Sequence, residues 1–324
     1  MRQTGTSLAP GGRVLTSLIK DYVSRVEGLG VTHLLIPQRW WGNAKEVEAS
    51  SLDCLAMTSH IAVLSDHLQL VTAIHPGFFQ PSVVAKWGAT ISQLTEGRWS
   101  INITSGWNLI EFSMFGVDAL DHDLRYERSK EFIDIVKGAW NSPRLDYKGK
   151  YYSVTDLVLE PRPFGKLEIF QGGQSPAAIE MACEYSDWMF LNGGSLEKVR
   201  EIIEQVRDVA AGRSLPKFAV YGIPLCRNSD EEAAAEIQSM LAAADPKLIA
   251  ARKKKVSGAQ GMWASEEKLS LLDSNEGFVT GLIGSPDTII GRVREFKDIG
   301  VEMFHLMLGD KLFEEAVLPD ILDL

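Results

Sequence analysis

Cysteine is scarce in this 324-residue chain, and the three that occur, Cys54, Cys183 and Cys226, are odd in number and far apart. That excludes a disulfide framework and any paired-cysteine metal knuckle. The six histidines are equally scattered, with no His-Glu-x-x-His and no two-histidine, one-carboxylate cluster, so a metal centre is not expected. No apolar run approaches the roughly 18 residues of a membrane helix, and the charged start is not followed by the apolar core of a signal peptide. A cytoplasmic protein with no membrane segment is expected. Basic residues are outnumbered 33 to 43, giving a net charge of -10. The one basic run, Arg252 to Lys255, reads as a solvated helix face, and nucleic-acid binding is not expected.

Familiar catalytic signatures are missing too. No Gly-x-Gly-x-x-Gly follows a strand, so the chain shows no dinucleotide fold of its own. No Gly-x-Ser-x-Gly elbow or Ser-His-Asp order is present. With neither nucleophile nor metal in view, difficult chemistry has to come from a bound cofactor.

What is present is alternation. Hydrophobic residues make up 45% and charged residues 23%, ordinary for a globular protein. Helical periodicity and β-rich runs take turns almost to the end, the pattern of parallel βα units. Strands are expected at His33–Pro37, Leu68–Ile74, Trp99–Thr104, Leu167–Phe170, Trp188–Leu191, Phe218–Leu225 and Met303–Leu308. A closed barrel of this type needs eight. The first strand is the missing one, and either a stub such as Thr6–Ala9 serves or the chain begins inside it. The expectation is an α/β fold, a (β/α)8 TIM barrel forming one domain over residues 1–324. Two insertions break its rhythm, at about 141–166, which reads as a β-hairpin around Lys148-Gly149, and at about 244–284, a candidate lid whose plainer reading is surface decoration.

Ligands of parallel barrels sit at the C-terminal ends of the strands, which gives weight to polar residues there. Asn102, Thr104, Glu111 and the pair Arg125-Tyr126 all fall within one strand-loop-helix stretch. Singly, an Asn satisfies backbone groups, a loop Glu is solvated and an Arg-Tyr pair belongs to a surface ion-pair lattice. Together they suit a large polar ligand with an anionic tail. A second cluster, Gln171-Gly172-Gly173-Gln174-Ser175-Pro176, opens a helix after a strand, where backbone N–H groups and the helix dipole favour a phosphate. Its plainer reading is an N-cap serine followed by proline at the first helical position. Trp40 and Trp41 place adjacent indoles in a loop, suited to a flat or apolar substrate or equally to packing. His75, just past its strand, is a candidate proton donor, although a lone histidine is more often structural.

These residues resemble those of the bacterial luciferase-like flavin monooxygenases from about Leu18 to the C-terminus. The nearest likeness is to the branch containing pyrimidine oxygenase, dimethyl sulfone monooxygenase and alkanesulfonate monooxygenase. The likeness is carried by Pro81 to Leu94, Gly97-Arg98, Asn102 to Trp107, Asp121-His122, Arg125 to Arg128, Tyr147 to Tyr152, Gly172 to Ser175 and Leu282 to Ser285. It implies a barrel that binds reduced FMN (FMNH2), supplied by a separate NAD(P)H:flavin reductase. Molecular oxygen would be activated as a flavin peroxide to oxygenate a small organic substrate, in a homodimer or homotetramer. Carried over by position, Gln38 and Arg39 would lie along the flavin ring, and Asn102 and Glu111 would bind ring or ribityl groups. Arg125, Tyr126 and Ser175, within the Gly173-Gln174-Ser175 loop, would hold the phosphate, and Ala73 and Asn102 would border the oxygen pocket. Where alkanesulfonate monooxygenase has an arginine and a histidine, this chain has Tyr221 and Ile223. Trp40, Trp41, Trp107 and Tyr221 therefore suggest a flatter or more apolar substrate than a sulfonate. The rival readings are a coenzyme F420-dependent oxidoreductase of the same fold and a flavin-binding protein without turnover.

Overall fold

The computed structural model describes residues 16–40, 51–247, 249–250, 267–322 and 324. Its chain divides into two compact units, Met1–Phe170 and Gln171–Leu324. The expected stub at Thr6–Ala9, Trp41 and the basic run at Arg252 lie outside the described residues.

The first unit runs α1 (Thr16–Gly28), β1 (His33–Ile36), α2 (Cys54–Ala62), β2 (Gln69–Ile74), α3 (Pro81–Leu94), β3 (Trp99–Ile103), α4 (Leu109–Met114) and α5 (His122–Asn141). A hairpin of β4 (Leu145–Lys148) and β5 (Ser153–Leu157) follows, and β6 (Ile169–Gly172) leads into the second unit. Three of these helix starts have a local cause. Asp53 caps α2 by accepting the Ala56 N–H at 2.8 Å, Pro81 opens α3, and Asn108 caps α4 through the Ile110 N–H. The chain leaves α3 through Glu96 and Gly97, both in left-handed backbone, and turns straight into β3.

Strands β1, β2 and β3 are parallel neighbours, with Ala73 directly beside Asn102. Trp99 on β3 fixes which face is which. Its ring meets Trp87 of α3 and Trp140 of α5 edge-on, at 5.4 and 6.1 Å, and its Nε1–H donates to Thr72 Oγ1 at 2.9 Å. Thr72 in turn shares a 2.7 Å hydrogen bond with Thr58 of α2. Because side chains alternate along a strand, Leu70, Thr72, Ile74, Trp99, Ile101 and Ile103 face the helices. Full burial of each aliphatic side chain among them contributes about 2 kcal/mol. Ala73, Ser100 and Asn102 face the other way, as the Gln69–Ser100 side-chain bond on that face also shows.

The second unit contains α6 (Pro176–Tyr185), β7 (Trp188–Leu191), α7 (Leu196–Ala210), β8 (Lys217–Gly222), β9 (Leu225–Cys226), α8 (Asp230–Ala242), β10 (Ile283–Gly284) and β11 (Val301–Leu306). Strand β8 lies parallel between β7 and β11, with Tyr221 beside His305. Met189, Leu191, Phe218, Val220 and Phe304 pack with Val199, Ile202, Ile203 and Val206 of α7. The alternate residues Phe190, Tyr221 and His305 therefore share the opposite face.

All seven expected strands are present, as is the hairpin, paired antiparallel with Tyr147 opposite Val154. Two details differ. The strand expected over Phe218–Leu225 breaks after Gly222, because Pro224 has no N–H to offer a neighbour and the Ile223 N–H turns aside to the Gly277 carbonyl. Helix α4, at six residues, is too short to leave a periodic trace, so Glu111 sits on a helix rather than in a loop. Residues 275–280 are pinned to the ends of β7 and β8 by Gly193 N–H to the Asn275 carbonyl, Gly194 N–H to Thr280 Oγ1 and Thr280 Oγ1 to the Tyr221 carbonyl. Among the described residues, no helix is long and apolar enough to cross a membrane.

Candidate active site

The connections after β1, β2 and β3 meet at Trp40. Its backbone N–H donates to Glu111 Oε1 at 3.3 Å, and its indole Nε1–H donates to His75 Nδ1 at 2.9 Å. The indole lies flat on Phe78, with centroids 4.3 Å apart and planes at 8°, and touches Phe79 and Phe115. Trp40 is thus half-buried in an aromatic wall, the packing alternative that its sequence left open. Gln38 is anchored through Oε1, which accepts the Cys54 N–H at 2.7 Å, and Arg39 through its backbone, whose N–H donates to Ser51 Oγ at 2.8 Å.

His75 is buried, and its pKa is lowered to about 4 by loss of solvent and secondarily by the Arg39 charge. It is neutral at pH 7. Since Nδ1 accepts from Trp40, the ring's proton is on Nε2. An imidazolium donor is ruled out at neutral pH, and what His75 can present is a neutral N–H.

Asn102, only 6% exposed, carries a buried Oδ1 with no hydrogen-bond partner. An unmet carbonyl oxygen costs about 1–3 kcal/mol, and it lies on the helix-free face beside the small side chain of Ala73. That is where a ligand N–H or O–H fits. Glu111, buried on the first turn of α4, holds the Trp40 amide and borders the same connection. Trp107 is half-buried between β3 and α4.

Helix α5 brings in the cations. Arg125 is buried, with Nε donating to the Gly106 carbonyl at 3.0 Å and Nη1 to the Leu120 carbonyl at 2.6 Å. Those bonds tie the guanidinium to the loop around it, and burial lowers its pKa from the ordinary arginine value. Tyr126 is buried next to His122, at 5.1 Å between rings. Arg128, which in sequence reads only as part of a surface ion-pair lattice in the run Arg125-Tyr126-Glu127-Arg128, is buried one turn further along.

In the second unit, Gly173 adopts φ +121°, a conformation that needs glycine, and leads through Gln174 to Ser175. Ser175 Oγ caps α6 by accepting the Ala178 N–H at 3.3 Å, and Pro176 follows at the first helical position. The N-cap reading therefore holds; Pro176 has no N–H and the Ala178 N–H is taken by Ser175 Oγ, so the Ala177 N–H and the Ser175 hydroxyl hydrogen are what this helix start can offer an anion. Tyr221 is buried, with its ring 5.3 Å from that of His305, which also meets Phe190 at 5.8 Å. His305, whose pKa burial lowers to about 4, escaped the sequence reading. Only strand alternation beside Tyr221 identifies it.

The chain has relatives of stated activity. The chain is 36% identical over 285 residues to the FMNH2-dependent dimethylsulfone monooxygenase of Pseudomonas fluorescens (strain Pf0-1), spanning 84% of this chain and 78% of that one. It is 28% identical over 243 residues to the pyrimidine monooxygenase RutA of Bradyrhizobium sp. (strain BTAi1), spanning 72% and 67%. Among solved structures, DmoA from Hyphomicrobium sulfonivorans superposes with a TM-score of 0.74 at 22% identity over 94% of this chain and 80% of that one. EDTA monooxygenase (EmoA) from Chelativorans sp. BNC1 gives 0.74 at 17% identity over 98% and 92%. At such identities the structures speak for the α/β fold alone. The luciferase-like monooxygenase family model matches residues 5–303, and the chain belongs to that family.

Proposed function

We propose that this chain is an FMNH2-dependent monooxygenase of the two-component kind, a single (β/α)8 barrel domain that inserts one atom of molecular oxygen into a small organic substrate. The observation that carries the reading is the buried, unpartnered Asn102 Oδ1 beside Ala73 at the strand ends, a polar vacancy shaped for a ring or chain N–H or O–H. Reduced FMN supplies the electron pair that activates oxygen. Asn102 and Glu111 hold the ring or ribityl portion, with Gln38 and Arg39 alongside. Tyr126, Arg125, Ser175 and the Gly173-Gln174 turn hold the phosphate, with the Ala177 N–H at the start of α6 as a further donor. Trp40, Phe78, Phe79 and Phe115 keep water from the reacting centre, and neutral His75 offers Nε2–H as a fixed donor.

The family supports a separate NAD(P)H:flavin reductase, a cytoplasmic setting and a homodimer or homotetramer. The relatives point to dimethylsulfone as the first substrate to try, and the aromatic residues Trp40, Trp107 and Tyr221 point to flat rings as the second. Anaerobic titration with reduced FMN, then rapid mixing with oxygen and a panel of both classes, tests this. Tight binding of reduced FMN and substrate-dependent oxygenated product are expected. Failure to bind reduced FMN would overturn the reading.

A further inference from the structure

Arg128 is 5% exposed, yet among the described residues its guanidinium forms no ion pair with a carboxylate. One face lies against Gly77, where a Cβ would come within 2.5 Å of Cζ, and Phe112 lies 5.3 Å away as a cation-π partner. Nη1 reaches the Asp118 carbonyl at 3.4 Å. Nε and Nη2, both buried, have no hydrogen-bond partner among the described residues. Of the neighbouring acids, Asp118 acts on Arg128 through its charge and the other two are committed elsewhere. Asp118 is exposed, Glu131 accepts the backbone N–H groups of Lys150, Tyr151 and Tyr152, and Glu127 pairs with Lys150. Tyr152 is the strongest electrostatic neighbour of Arg128, and its hydroxyl is also buried without a hydrogen-bond partner. The Gly77 N–H is turned toward that hydroxyl without reaching hydrogen-bond geometry.

A buried guanidinium lacking a counter-charge is unfavourable by several kcal/mol. The pair Nε and Nη2 is the edge that meets two oxygens of one planar anion in parallel hydrogen bonds, a geometry a single water or halide does not match. We infer that this edge of Arg128, with the Tyr152 hydroxyl, is a binding position for a small two-oxygen anion of the carboxylate class. It stands one helical turn along α5 from Arg125. The bound anion would fix the turn after β2, since Arg128 supports Gly77 while Phe112 packs on Phe78 at 4.7 Å and Phe78 on Trp40.

Formate is the probe, exchanged for chloride at constant ionic strength on the full chain, with thermal unfolding as the readout. An anion that binds only the folded state raises Tm with the logarithm of its concentration. The wild-type chain should gain roughly 2 °C or more at saturating formate. Arg128→Met should abolish the gain, Arg128→Lys, which offers a point charge without the fork, should do nearly the same, and Tyr152→Phe should weaken formate binding several-fold. A crystal grown in formate should show the planar anion on Nε and Nη2. Equal responses in wild type and the Arg128 variants, or a water on that edge, would overturn the inference. So would competition between FMN and formate, since the site would then belong to the cofactor. The thermal measurement needs no flavin, so its outcome is independent of whether reduced FMN binds.

Discussion

The indole N–H of Trp40 donates to His75 Nδ1 over 2.9 Å, joining the connections that follow β1 and β2. It sets the imidazole tautomer without any charged group. Trp40→Phe keeps most of the stacking on Phe78 and removes the donor. The variant should lose about 1–2 kcal/mol in urea unfolding, the cost of a buried acceptor left unmet plus some packing. Nitrogen NMR of His75 should change from a single Nε2–H tautomer to a mixture.

Acid should weaken the fold through the same ring. His75 titrates at about 4 in the folded chain against an ordinary imidazole value of 6.5, so below pH 6.5 the unfolded chain takes up a proton that the folded chain refuses. Its stabilising share is whole above pH 6.5 and shrinks as pH falls toward 4, by up to about 1.4 kcal/mol per pH unit. His305, shifted the same way, adds to the slope. Unfolding curves between pH 7 and 4.5 should show the decline, and His75→Gln should flatten it. An unchanged slope in that variant would refute the assignment.

Asn102→Ala separates stability from binding. It removes a carbonyl oxygen that the protein itself leaves without a partner, so the unliganded chain should stay within about 1 kcal/mol of wild type. Affinity for reduced FMN should fall about tenfold, the equivalent of one good hydrogen bond to the ligand. A variant that binds flavin as well as the parent would remove Asn102 from the site.

Gly88 on α3 is the place where the helix passes the Trp99 ring, and an added Cβ would overlap its Cζ3 and Cη2 atoms. Gly88→Ala should therefore destabilise by about 1–3 kcal/mol despite alanine's better helix propensity. Calorimetry would measure it as a lowered Tm.

The strands were legible because each is an apolar run between turn signals, and Asn102, Arg125 and Ser175 were legible because polar residues at strand ends and helix starts stand out there. Three things were hidden for physical reasons. Helix α4 spans less than two turns, so it has no period to detect. The wall around Trp40 is assembled from Phe78, Phe79 and Phe115, whose contacts are set by tertiary packing and not by spacing. His305 and Arg128 look like surface residues until strand register and burial place them, since one follows a phenylalanine and the other sits in a charged run. The N-cap role of Ser175 was readable outright from Ser-Pro.

The bonds that fix residues 275–280 to the ends of β7 and β8 make that short stretch a fixed re-entry point. Whatever length of chain lies between α8 and Glu267, it returns to the same carbonyls and hydroxyl, Asn275, Gly277 and Thr280. Loop closure grows costlier only slowly with length, so trimming or grafting there should leave Tyr221 where it stands. Length can thus vary ahead of Asn275 while Asn275, Gly277 and Thr280 keep the ends of β7 and β8 tied to the same points.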